Sequence, residues 1–186
     1  MIEITRRETI HEGHSKLLIL TLRMPDGASV RREVEDHGAA VCVLPYDAER
    51  RTAILVRQLR APVLFAAREE ATLEAIAGII ESADPQECAR REAWEEAGLR
   101  LTALEPVGSV WTMPGVSTER MHLYLAPCRE ADRCGPGGGV DEDENTEVVE
   151  LALSELAVRT DAGRLDDMKT MLLVQTLRLR HADLFA

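Results

Sequence analysis

The sequence predicts an α+β fold, a mixed sheet sandwiched by helices and preceded by a small antiparallel β unit. Three patterns predict it. Short alternating segments separated by turns fill the start of the chain, two more continuously apolar segments follow, and helical spacing of apolar residues appears only from residue 85 onward. Residues 2–9, 16–23 and 29–35 alternate like half-buried strands, with Asp26-Gly27 as the hairpin turn between the last two. Residues 39–46 and 52–59 form an apolar pair around the turn DAER, as expected for strands covered on both faces. A boundary near 36–38 divides a β unit, 1–36, from the main domain, 37–186. Residues 72–77 read as a short strand leading into Gly78.

Asp84-Pro85 then opens a helix, with Asp84 as N-cap, Pro85 at the first helical position and Glu87 placed for a capping-box pair. Gly98 is its left-handed stop. Strands are expected over 101–110, 121–126 and 148–153, and helices over 154–160 and 167–181. The run CGPGGGVDEDEN reads as a flexible acidic loop whose glycines let it swing, lid-like, over a bound substrate.

With 186 residues and 45% hydrophobic content there is enough chain for one proper core, but aromatics are only 3%, so it must rest on Leu, Val, Ile and Ala. The net charge of −11, from 33 acids against 22 bases, repels a nucleic-acid backbone. Cys42, Cys88, Cys128 and Cys134 show no CxxC pairing and read as free thiols of a reducing cytosol. The polar N-terminus and short apolar runs predict a cytoplasmic protein without a membrane partner.

The helix after Pro85 collects Glu92, Glu95 and Glu96 in five residues. At about 100° per residue, Glu96 falls about 20° and Glu92 about 60° from Ala89 on the small apolar face, with Glu95 about 60° further round. Two carboxylates therefore border the face that packs inward, where burial without compensation is very costly. A solvated acidic face is the bland explanation. A divalent cation is the sharper one, because hard cations take carboxylate oxygens and keep waters that phosphate oxygens can replace.

Gly78, Arg91-Glu92, Glu95-Glu96 and Gly98-Leu99 together resemble the Nudix box, G, x5, E, x7, REUxEExGU, where U is aliphatic. Two departures stand out: twelve residues rather than thirteen separate Gly78 from Arg91, and the first glutamate is replaced by Asp84 or displaced to Glu81. The resemblance extends along nearly the whole chain to the nucleotide-sugar pyrophosphatases of the ADP-ribose and GDP-mannose type. It runs through LVRQLRAP, LEAIAG, MPGVSTE, HLYLA, GGGVDEDENTEVVEL and DMKTMLL, with Pro114 sixteen residues past Gly98.

This resemblance implies an α/β/α Nudix sandwich and Mg²⁺- or Mn²⁺-dependent hydrolysis of a nucleoside-diphosphate sugar to a nucleoside monophosphate and a sugar phosphate. It implies a homodimer joined through the N-terminal β unit. Carried over residue by residue, it makes the Ala77 carbonyl, Glu92, Glu96 and Glu95 metal ligands. Glu144 is implied as a metal ligand or the base that activates water, with Asp143 as the alternative register. Glu119 is implied at the substrate or in catalysis, and Arg31, Arg32 and Glu33 at the nucleotide. Arg60 is implied at phosphate, Lys169 at substrate, and Arg57 equally at substrate or in a structural ion pair. Trp94 is expected to pack against a neighbouring strand. No tyrosine stands in the N-terminal segment, where a GDP-mannose enzyme uses one against the base, so the base stays open between ADP-ribose and GDP-mannose. The rival functions are a Nudix nucleoside-triphosphate pyrophosphatase and a non-catalytic nucleotide-sugar sensor.

Overall fold

A computed structural model describes residues 1–81, 84–139 and 146–186. The chain divides into two compact units, one of residues 1–40 and 109–121, the other of 41–108 and 122–186.

The first unit is built on β1 (Glu3–Glu12), β2 (Lys16–Arg23) and β3 (Ser29–Asp36), an antiparallel sheet in that order. The hairpin closes as expected: Gly27 takes a positive φ of 87°, and the Asp26 carboxylate accepts from the Ala28 N–H at 3.0 Å. The segment 109–121 joins β3 through Glu35, whose N–H donates to the Val116 carbonyl and whose carbonyl accepts from Thr118, both at 2.8 Å.

The second unit carries the main sheet. After β4 (Ala39–Asp47), β5 (Thr52–Gln58) and the short helix α1 (Ala61–Ala67) come β6 (Thr72–Glu74) and β7 (Ile76–Ile79). Then follow α2 (Pro85–Ala97), β8 (Glu105–Trp111), β9 (Arg120–Pro127), β10 (Glu147–Ala152), α3 (Leu153–Asp161) and α4 (Met168–Arg180). The strand order is β10-β5-β4-β9-β8, with β6 on β5 and β7 on β4. This is the mixed sheet of an α/β/α sandwich. β4 is buried from Ala40 to Asp47, as a strand covered on both faces must be. Alternate residues separate its faces: Val41, Val43, Ile54 and Val56 join the cluster that includes Ala89, Ala93 and Ala97 of α2. The small side chains of α2 let the helix lie close to the sheet, which suits a chain so poor in aromatics.

Two elements differ from the sequence expectation. α1 is absent from it, because its seven residues, APVLFAA, are all apolar and no polar residues mark a helical period. The segment expected as one strand over 72–77 breaks at Ala75, whose N–H turns away to donate to the Thr170 hydroxyl at 2.6 Å. Among the described residues, no helix is long and apolar enough to cross a membrane. All four cysteines are free.

Candidate active site

α2 is set by its ends. Pro85 stands at its start, and the Asp84 carbonyl, not its side chain, accepts the first helical bond from Cys88 at 3.0 Å. Gly98 closes the helix with a φ of 65°, and the Leu99 N–H reaches back to the Ala93 carbonyl at 3.0 Å. Beyond that, the glycine run docks on the helix end. Gly138 donates to the Glu96 carbonyl at 2.8 Å and Gly139 to the Glu95 carbonyl at 3.0 Å, while Cys134 and Gly135 both donate to Gly98. These bonds satisfy carbonyls that a helix end leaves orphaned. The expectation that these glycines let the loop swing is corrected here for residues 135–139, which are fastened to the helix that carries the glutamates.

Glu92 and Glu96 are 9% and 7% exposed, on the buried side of α2, as the helical wheel requires. Arg91 serves two carboxylates: its Nη2 meets Glu92 Oε1 at 2.5 Å and its Nη1 meets Glu95 Oε2 at 2.8 Å. The arginine thus aligns the glutamates of its own helix. The Glu92 carboxylate also lies against β7. A Cβ at Gly78 would fall 2.1 Å from its Cδ, so only glycine lets the backbone beside Ala77 come this close.

These donors fit a hard divalent cation: carboxylate oxygens on a buried helix face, drawn against a backbone segment made narrow by glycine. Among the described residues, no three His, Cys, Asp or Glu side chains already form a metal cage. Glu144 and Asp143 lie outside the described residues.

A second cluster gathers around Glu74, at the end of β6. Its side chain is 3% exposed and accepts a two-pronged bond from Arg60, Nε to Oε1 and Nη2 to Oε2, each 2.8 Å. Lys169 and the Thr72 hydroxyl also donate to it. Burial pushes the Glu74 pKa up, but the Arg60 fork, Lys169 and Thr72 outweigh it and hold the acid down at about 2. Burial pulls Lys169 the other way, and Glu74 and Asp167 reverse that to raise its pKa. Asp167 bonds Lys169 at 2.8 Å and caps α4 through the Thr170 N–H at 3.0 Å. The Arg60 pKa is raised chiefly by the Glu74 bonds, and Glu96 adds to it through space. Arg60, Pro62, Val63, Thr72, Glu74, Asp166 and Asp167 line a cavity of about 250 Å³.

The remaining expected residues are placed as follows. Arg57 pairs with Glu147 at 2.6 Å across β5 and β10, both well exposed. Glu119, Arg31, Arg32 and Glu33 belong to the first unit. There the Glu119 carboxylate lies 3.6 Å from His37 Nδ1, and Arg32 and Glu33 line a cavity with Trp111 and the 114–118 turn. Trp94 does not pack against a strand as expected: it is 41% exposed, borders Gly135 and lies under the Arg100 guanidinium at 5.6 Å. Sequence reasoning passed over Glu74. The signal was present: an acid inside the apolar run LEAIA requires a cation when that run is buried.

A family model described as the NUDIX domain matches residues 36–170. The GDP-mannose pyrophosphatase of Cronobacter sakazakii is 39% identical over 184 residues, 96% of each chain. That of Pectobacterium atrosepticum is 39% identical over 165 residues, 87% of this chain and 85% of the relative. Among solved structures, one described as an ADP compounds hydrolase superposes with a TM-score of 0.79 at 18% identity, covering 98% of this chain and 95% of that one.

Proposed function

Since the chain belongs to the Nudix family, as a hydrolase of its pyrophosphatase kind, we propose that it cleaves the diphosphate of a nucleoside-diphosphate sugar, releasing a nucleoside monophosphate and a sugar phosphate. The single observation that carries this reading is the buried Glu92–Glu96 face, aligned by Arg91 and drawn against Gly78. The relatives at 39% identity favour GDP-mannose over ADP-ribose as substrate. The ADP compounds hydrolase supports the fold alone, at its 18% identity.

In this reading Glu92 and Glu96, with the Ala77 carbonyl, hold Mg²⁺ (Mn²⁺ as a substitute), and Glu95, ion-paired to Arg91, is a candidate further ligand. Bound there, the cation neutralises the diphosphate and acidifies a water. Arg91 keeps Glu92 and Glu95 in register, and Arg60, its fork held by Glu74, turns its remaining N–H groups toward the substrate. Glu144 is the base that takes the proton from the attacking water, with Asp143 the neighbouring alternative and Glu119 the rival. The reading includes a cytoplasmic homodimer joined through the N-terminal β unit, which a sedimentation measurement checks.

The test is a turnover panel with Mg²⁺ over GDP-mannose, ADP-ribose, ADP-glucose, NADH and a nucleoside triphosphate, read by phosphatase-coupled release. Preference for GDP-mannose, abolished by chelation and restored by Mg²⁺, is expected. Metal-dependent binding with no turnover on any of them would make the protein a sensor. Glu144→Gln should lose most turnover and Glu119→Gln less; the reverse order would transfer the base to Glu119.

A further inference from the structure

The Glu74 cluster resembles a structural ion pair, but its composition does more than hold the fold. Arg60 is fixed by both prongs of its fork yet keeps 42% of its side chain exposed on a cavity of about 250 Å³. A purely structural pair needs no cavity in front of it. Lys169 meets Glu74 and Asp167 from α4, so one carboxylate holds cations from two different elements side by side. The field of Glu96 reaches Arg60, which sets this cluster beside the metal helix within the second unit.

The charge balance says which part of a substrate fits. Glu74, Asp166 and Asp167 line the cavity with Arg60, and Lys169 stands behind it, so two cations answer three carboxylates. A phosphate brought there would meet carboxylates whose compensation is already spoken for. Sugar hydroxyls both donate and accept, and so match the Arg60 guanidinium lining the cavity together with the Asp166 and Asp167 carboxylates.

Resting on the function proposed above, we propose that Glu74, braced from behind by Lys169, is a positioning residue that presents Arg60 to the hydroxyl-bearing sugar end of the substrate. It touches no substrate itself. It acts by fixing the direction in which the remaining Arg60 N–H groups point and by cancelling the charge that would otherwise attract phosphate.

Product inhibition of the Mg²⁺-loaded enzyme separates this from a structural role. Mannose 1-phosphate, GMP and inorganic phosphate are each titrated against GDP-mannose turnover by the wild type, Glu74→Gln and the milder Thr72→Val. In Glu74→Gln, inhibition by mannose 1-phosphate should weaken about tenfold, the value of one charge-assisted hydrogen bond. GMP inhibition should stay within about twofold, and inorganic phosphate should inhibit more strongly because a negative charge has been removed. Thr72→Val should shift the same way by less, and it carries the comparison if Glu74→Gln does not fold. Parallel weakening for mannose 1-phosphate and GMP, or no change in either, would reduce Glu74 to a structural residue. Weaker inhibition by inorganic phosphate would assign the pair to phosphate and overturn the sugar end. A wild type inert toward every nucleotide sugar would instead remove the functional reading beneath the proposal.

Discussion

Glu74 and Glu92 are both buried glutamates of the second unit, 2% and 9% exposed, and they are compensated in opposite ways. Two cations converge on Glu74, from α4 and from the residue ahead of α1. On α2 one guanidinium, Arg91, bridges Glu92 and Glu95 of its own helix, and Glu96 follows a turn further along. Carboxylates cost a great deal to bury, and the protein meets that cost with side chains at Glu74. At α2 it gathers three carboxylates within five residues, an arrangement that suits a cation brought from solution. Negative charge in the first place holds cations of the protein's own in position, and in the second suits a cation brought from solution.

The largest expected effect breaks the comparison from the α2 side. Glu96→Gln should lower turnover by about 10² to 10³ or more, the size of losing one electrostatic contact to a reaction's charge. Its melting temperature should stay within a few degrees of wild type. If stability collapsed as well, Glu96 would be held by partners within the protein as Glu74 is, and the contrast would fail.

The same test on Glu74 should give the opposite pattern. Glu74→Ala leaves Arg60 and Lys169 partly buried without their shared partner, at a cost of about 3–5 kcal/mol in urea unfolding. Its acid sensitivity follows from the pKa. The folded value, about 2, is below the ordinary glutamate value of 4.5, so the stabilisation is complete above about pH 4.5 and is lost as pH falls toward 2. That contribution is of the order of 3 kcal/mol. The stability of Glu74→Gln should therefore fall less steeply than that of wild type across this window.

Gly78→Ala is intermediate. The new Cβ would sit 2.1 Å from the Glu92 carboxyl carbon, so the carboxylate or the β7 backbone must move. A cost of about 1–3 kcal/mol is expected from the overpacking. Apparent Mg²⁺ affinity, followed by the dependence of turnover on metal concentration, should weaken; unchanged affinity would separate Glu92 from the metal.

How much of this was legible in the sequence follows from the range of the interactions. The α2 helix, its Pro85 start and Gly98 stop and its inward glutamates depend on residues within a few positions of one another, so spacing alone revealed them. The strand alternation of β1 to β3 is local in the same way. Glu74 is different, because its partners lie 14 and 95 residues away and no periodicity links them. Docking of the glycine run was hidden for the same reason: GPGGG reads as freedom until the carbonyls of Glu95 and Glu96 fix it. α1 was invisible because a seven-residue run apolar at every position carries no helical period.

The smallest effect concerns Arg57, which sequence left between substrate and scaffold. Its side chain is 45% exposed and its partner Glu147 63%, across the antiparallel pair of β5 and β10. Water screens such a pair and both chains lose rotamer freedom to form it, so Arg57→Ala should cost under about 1 kcal/mol. Unlike Glu74, Glu147 is solvated again once its cation is gone, and nothing buried is left uncompensated. With KM unchanged, the Arg57→Ala variant would mark the exposed pair as scaffold. A severalfold rise in KM at unchanged stability would show that the arginine leaves Glu147 for substrate, an exchange that only a weak, exposed pair permits.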